Sequence, residues 1–192
     1  MTRQDPYVTP FREIDDATGY YVNAERRYGN QILIRAMIYD NKADPTSVVS
    51  GQYGWYTEFA HLGVQTTLPG DVGLVAQWMS GSTAMGPIVN GAYVVDVEHD
   101  SYFLLLTKAF GTHRVSARYD NFDMTQNDSI PEDDNAEAGL AWIFSYQYGF
   151  SESVNLAVEW LRIKTHRNAF VYYGLDPTVI EEQAQLTLQL RF

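Results

Sequence analysis

Gln185-Leu186-Thr187-Leu188-Gln189-Leu190-Arg191-Phe192 closes this 192-residue chain, and it alternates polar with apolar side chains without a break. Period-two alternation marks a strand with one apolar face and one polar face. Leu186, Leu188, Leu190 and Phe192 fall on one side; Gln185, Thr187, Gln189 and Arg191 fall on the other. Such a strand lies either half-buried in a soluble sheet or between hydrocarbon and water. The rest of the chain decides between the two.

Working backward, eight more segments read as strands: 154–164, 136–148, 114–122, 102–110, 72–79, 55–68, 32–39 and 20–28. Short turns rich in Gly, Asn, Pro and Asp join them in pairs, as hairpins require. They are Gly29-Asn30, Pro69-Gly70-Asp71, Gly111-Thr112-His113 and 149–153. Longer acidic connections are expected over 40–54, 80–100, 123–135 and 165–182. Short turns at one end and long loops at the other is the layout of an outer-membrane barrel. No convincing helical periodicity competes with it.

The expected fold is therefore all-β: a transmembrane antiparallel up-and-down β-barrel of outer-membrane type. About nine C-terminal strands of it are present, with residues 1–19 in an outside loop and residues 20–192 forming strands and loops. An odd count leaves a barrel unclosed, and Met1-Thr2-Arg3-Gln4-Asp5-Pro6 leads into no apolar signal core. Both features fit the C-terminal part of a longer precursor.

Composition is compatible. A net charge of −11 from 13 basic and 24 acidic residues argues against nucleic acid. Cysteine is absent, which removes disulfides and thiolate metal sites. Mean hydropathy is −0.27, as alternating strands allow, and no run approaches the roughly 18 apolar residues of a membrane helix. Aromatics make up 14% of the chain, with 14 Tyr, and suit interfacial girdles.

Phase then assigns side chains. The lipid-facing and girdle set is Tyr20, Tyr28, Trp142, Tyr146, Tyr148, Trp160 and Phe192. The inward, pore-lining set is Arg27, Arg35, Arg114, Arg118, Asp120, Glu137, Glu159 and Arg191. Facing charges of both signs either set up a transverse field in a constriction or simply neutralise one another. Arg26 and Arg162 break phase near strand ends, where long side chains reach water. Segment 102–110 has no clear phase.

Other motifs weigh less. His99-Asp100-Ser101 puts a base and a hydroxyl on one strand face, the geometry of a hydrolase nucleophile, but no orienting acid or amide is identifiable. Coincidence is the ordinary account, and no enzymatic activity is expected. Asp128, Glu132, Asp133, Asp134, Glu181 and Glu182 could gather hard cations but lack a calcium-loop spacing and read as a solvated rim. The four histidines show no metal-ligand spacing. Segment 80–86, Ser80-Gly81-Ser82-Thr83-Ala84-Met85-Gly86, reads as an outside loop able to fold inward. No cofactor or metal is expected.

Three stretches carry a family resemblance: Tyr39-Asp40-Asn41-Lys42-Ala43-Asp44-Pro45, Leu74-Val75-Ala76-Gln77-Trp78-Met79, and Ser116-Ala117-Arg118-Tyr119-Asp120 with Glu159-Trp160. They resemble the C-terminal half of proteobacterial porins, nearest the phosphate-selective porins O and P. The resemblance implies a bacterial outer-membrane location, passive diffusion of small hydrophilic solutes or anions, and a homo-trimer among lipid and lipopolysaccharide. It also implies recognition of the terminal strand, with Phe192, by the barrel assembly machinery. In that family, lumenal lysines and arginines set anion preference. Here there are only three lysines, Lys42, Lys108 and Lys164, none at a central lumenal position. The alternatives are a plugged structural barrel, a soluble sandwich, or an outer-membrane hydrolase using His99 and Ser101.

Overall fold

Nine strands pair edge to edge in a computed structural model, each with its neighbour in sequence, to form one antiparallel sheet. The structure describes residues 12–29, 31–128, 130 and 134–191. The strands are β1 (Tyr20–Tyr28), β2 (Ile32–Asp40), β5 (Trp55–Leu68), β6 (Val72–Val89), β7 (Ala92–Phe110), β8 (His113–Gln126), β9 (Glu137–Ser151), β10 (Val154–Arg167) and β11 (Thr178–Leu190). A two-residue hairpin, β3 (Val48–Val49) with β4 (Gln52–Tyr53), sits in the β2–β5 loop. A single helical turn, α1 (Ala169–Tyr172), precedes β11.

The sheet is open. β1 and β11 each have one unpaired edge among the described residues, and no closed barrel forms. The all-β antiparallel meander expected from the alternation is present. Residues 1–11 of the expected outside loop, Glu132, Asp133 and Phe192 lie outside the described residues.

Residues 80–100 are not a long loop. Residues 80–89 continue β6 and 92–100 begin β7, so the connection is a tight turn at Asn90-Gly91. Both have positive φ, 53° and 93°, which matches the right-handed twist of the flanking strands. Ser80–Gly86 is therefore strand rather than inward-folding loop. Alternation is weak there because small residues dominate, and period two cannot be seen without side-chain contrast. Strand also replaces loop at 123–126, 165–167 and 178–182.

The register settles every phase. One continuous row runs Tyr28, Ile32, Thr66, Leu74, Leu106, Ala117, Phe144, Trp160, Ala184 across all nine strands. The next parallel row on that face runs Arg26, Ile34, Val64, Ala76, Leu104, Tyr119, Trp142, Arg162, Glu182. Segment 102–110, ambiguous by sequence, thus places Tyr102, Leu104 and Leu106 on this apolar face, with Phe103 and Leu105 opposite.

Among the described residues no second layer covers the apolar face. Trp142 is 42% exposed, Phe144 46%, Leu186 69% and Leu188 60%. Aromatic rings pave it from β8 to β10: Tyr119 to Trp142 at 4.7 Å, Trp142 to Phe144 at 6.1 Å, Phe144 to Trp160 at 5.8 Å. On the opposite, mixed face most large apolar side chains are half-buried or buried, with Leu33 at 7% and Val97 at 5%; Tyr21 at 66% and Trp55 at 50% are exceptions.

The long-loop end is organised by Asp44, which accepts bonds from the Thr46 backbone N–H (2.8 Å), the Thr46 hydroxyl (2.7 Å) and the Ser47 hydroxyl (3.0 Å). These hydrogen bonds, the Thr46 hydroxyl first, hold its carboxyl below the usual carboxylate range. Pro45 accepts a bond from the Gly86 N–H at 2.8 Å, and Arg12 reaches the Ser50 hydroxyl at 3.2 Å. Loop 41–54 thus packs against β6, and residues 12–19 lie beside it.

Candidate functional site

The mixed face gathers the charged residues that phase assigned inward. Arg27, Arg35, Arg114, Arg118, Asp120, Glu137 and Glu159 all occupy its register positions. Arg191 continues its phase beyond β11, with its backbone N–H donated to the Ser153 carbonyl at 2.9 Å. Of the opposite set, Tyr20, Tyr28, Trp142, Tyr146, Tyr148 and Trp160 all lie on the apolar face.

Most of the charges on the mixed face are paired. Arg35 donates from Nε to Glu25 at 2.7 Å, and Arg27 stands 3.7 Å from the same carboxylate. Arg118 grips Asp120 through Nε at 2.9 and 3.0 Å. Its guanidinium lies 4.0 Å from the Phe103 ring centroid, a geometry in which cation–π attraction adds to the ion pair. Arg167 is bonded to Glu137, with its Nε at 2.8 Å. Solvent-accessible pairs of this kind are weak, so their main consequence is charge compensation, complete at Arg118–Asp120 and Arg167–Glu137 and leaving one excess positive charge at Arg27, Arg35 and Glu25. Arg114, Arg191, Glu159 and Glu181 form no ion pair among the described residues.

Between the charges the face is more apolar than the sequence led one to expect. One row reads Arg27, Leu33, Gln65, Val75, Leu105, Arg118, Ile143, Leu161, Gln183. The Phe122 ring lies where a side chain on Gly139 would be, covering that glycine across the β8–β9 pair. His61 shares the face beside Gly63, and its Nε2 is buried with no hydrogen-bond partner among the described residues. Sequence reading misses His61, Phe103, Arg167 and this apolar row. Arg167 falls in a span that reads as loop, and the others follow only from which strands adjoin.

A cleft of about 840 Å³ opens at the short-turn end of the mixed face, lined by Arg114, Gln147, Asn155, Thr187, Gln189 and Arg191 among others. His99 and Ser101 both lie on the mixed face in β7, and no hydrogen bond joins them. Among the described residues no group of three or more His, Asp or Glu is placed to hold a metal. No helix among them is long and apolar enough to cross a membrane, which bears only on helical spans.

No protein-family model matches this chain, and neither a curated protein nor a solved structure does.

Proposed function

We propose that this sheet forms part of the wall of a bacterial outer-membrane β-barrel, its apolar face against lipid and its mixed face along a passage for small hydrophilic solutes. One observation carries the reading: the register brings the apolar phase of all nine strands onto a single uncovered face. In water that face would be a large exposed hydrophobic surface, which soluble proteins avoid. In a bilayer it is the surface the solvent demands.

Strand tilt supports it. The apolar run of β2 (Ile32, Ile34, Ala36, Ile38) and that of β11 (Leu190, Leu188, Leu186, Ala184) are offset by about three rows in the register. Three rows of two residues, at about 3.4 Å per residue, give about 20 Å over seven strand spacings of about 4.8 Å. The slope is about 30°, close to the 35–45° tilt of membrane barrels. Tilt also accounts for Arg26 and for Arg162 with Glu182: they end the same row but leave the apolar band on opposite sides.

Hydrocarbon tolerates no unpaired strand edge, so the reading requires β1 and β11 to be paired in the membrane. Both run from the long-loop end to the short-turn end, so antiparallel closure takes an odd number of further strands. With Arg118–Asp120 and Arg167–Glu137 self-neutralised, the excess positive charge of Arg27 and Arg35 over Glu25 joins Arg114, Arg191, Glu159 and Glu181 in setting solute preference. Anion transport of the kind the phosphate-selective porin resemblance implies, trimer formation and capture by the assembly machinery are parts of the same proposal.

A second reading, a filled rather than open lumen, is favoured by the apolar row through Leu33, Val75, Leu105, Ile143 and Leu161. Conductance separates them. Protein reconstituted in planar bilayers is expected to give discrete current steps. Insertion without steps would favour the filled lumen, and failure to insert would remove both.

A further inference from the structure

Strand β10 changes character abruptly on its apolar face. Val154, Leu156, Val158 and Trp160 are followed on the same phase by Arg162, Lys164 and His166. All three basic residues are exposed. Arg162 approaches Glu182 at 3.5 Å, with both side chains about half exposed at 47% and 54%, a contact that solvent leaves weak. Lys164 has no ion pair among the described residues. His166 meets the Thr178 hydroxyl at 3.1 Å. Facing them are Glu182, Ile180 and Thr178 from β11 and Trp142, Leu140 and Ala138 from β9. Glu182 is the one acid beside the ladder among the described residues, and Asp123 is a strand further off, opposite Ala138.

We propose that this ladder binds the phosphate group of a membrane lipid in the leaflet at the long-loop end. The inference rests on the membrane reading above and adds a partner to it. Strand tilt lifts the β10 end of the row above the apolar band, so Arg162 and Lys164 stand about 7 and 14 Å along the strand from Trp160, at headgroup height. Below them Trp142, Phe144 and Trp160 offer an aromatic surface to acyl chains. Head and tail of one phospholipid thus meet complementary chemistry on one patch. The same height on β5, β7 and β8 is acidic: Glu58, Glu98, Asp100 and Asp123 share the apolar-face phase. Phosphate is repelled there, which confines it to β10.

The test uses the full chain in phosphatidylcholine nanodiscs doped with phosphatidic acid, each lipid supplied in turn with brominated acyl chains that quench tryptophan. A Trp55→Phe/Trp78→Phe background reports Trp142 and Trp160 on the basic side; a Trp55→Phe/Trp142→Phe/Trp160→Phe background reports Trp78 on the acidic side. Brominated phosphatidic acid is expected to be enriched over brominated phosphatidylcholine at Trp142 and Trp160 but not at Trp78. Arg162→Gln/Lys164→Gln should lower that enrichment by between about fivefold and thirtyfold, counting roughly a fivefold factor for each basic residue near an anionic surface. Arg162→Lys/Lys164→Arg should keep it. Equal enrichment in the glutamine variant and the parent, with phosphatidylcholine quenching intact, overturns the proposal. Absence of quenching by either lipid overturns the membrane reading itself.

Discussion

Leu104→Arg is the sharpest perturbation of the apolar face. Leu104 lies mid-strand in β7, 41% exposed, between Tyr119 and Ala76 in the register. If that face meets water, the change replaces one exposed side chain by another and shifts stability by no more than about 0.5 kcal/mol. If it meets hydrocarbon near the bilayer middle, the guanidinium costs about 2–4 kcal/mol, a roughly 30- to 800-fold loss in the folding equilibrium. Gln65→Arg is the matched control, exposed on the mixed face, and is expected to stay within about 0.5 kcal/mol. Chemical unfolding in phosphatidylcholine vesicles, followed by tryptophan fluorescence, reads the difference directly. An unfolding midpoint for Leu104→Arg that coincides with the parent in vesicles would refute the reasoning.

Three further outcomes are expected. Gly81→Ala should destabilise by at least about 1–3 kcal/mol, because its Cβ would overlap the Glu58 carbonyl oxygen and lie 2.6 Å from the Phe59 Cβ; an unchanged unfolding midpoint would contradict this. Protection of loop 41–54 in hydrogen exchange should depend on pH through Asp44, whose folded value is held down by Thr46 and Ser47. A depressed carboxyl stabilises fully above its unfolded value of about 3.9 and loses that contribution as pH falls through its lower folded value. Protection should therefore persist to about pH 4 and fade below, and Asp44→Ala should lack the acid limb. Arg114→Glu should move the ion preference of the conducting protein toward cations, since Arg114 lines the cleft at the short-turn mouth with no ion pair among the described residues; unchanged reversal potentials would place it off the conduction path.

Where side chains contrast, the sequence is a reliable guide. The alternation in 185–191, 154–160 and 140–148 puts the same residues on the same face as the register does, and short Gly-bearing turns identify which strands are neighbours. It fails where contrast is missing. Ser80-Gly81-Ser82-Thr83 offers no large side chain to show a period, so half of a long hairpin reads as loop. Leu104-Leu105-Leu106 is apolar on both phases, and only pairing with Ala76 and Tyr119 on one side of the sheet resolves which leucine points where. The ion pairs were partly legible: Arg118 and Asp120, two apart on one strand, must share a face. Arg35 with Glu25 and Arg167 with Glu137 depend on register between strands, which alternation leaves open. The offset of the apolar band across the sheet is likewise a property of nine strands together.

The central claim is that successive residues of one strand look alternately into lipid and into water. Because the chain has no cysteine, single cysteines can be introduced one at a time through 140–147 in β9 and spin-labelled in vesicles. The account predicts period-two alternation: high collision rates with oxygen dissolved in lipid at 140, 142, 144 and 146, and high rates with a water-soluble paramagnet at 141, 143, 145 and 147. Equal access of the aqueous reagent to both sets would contradict it.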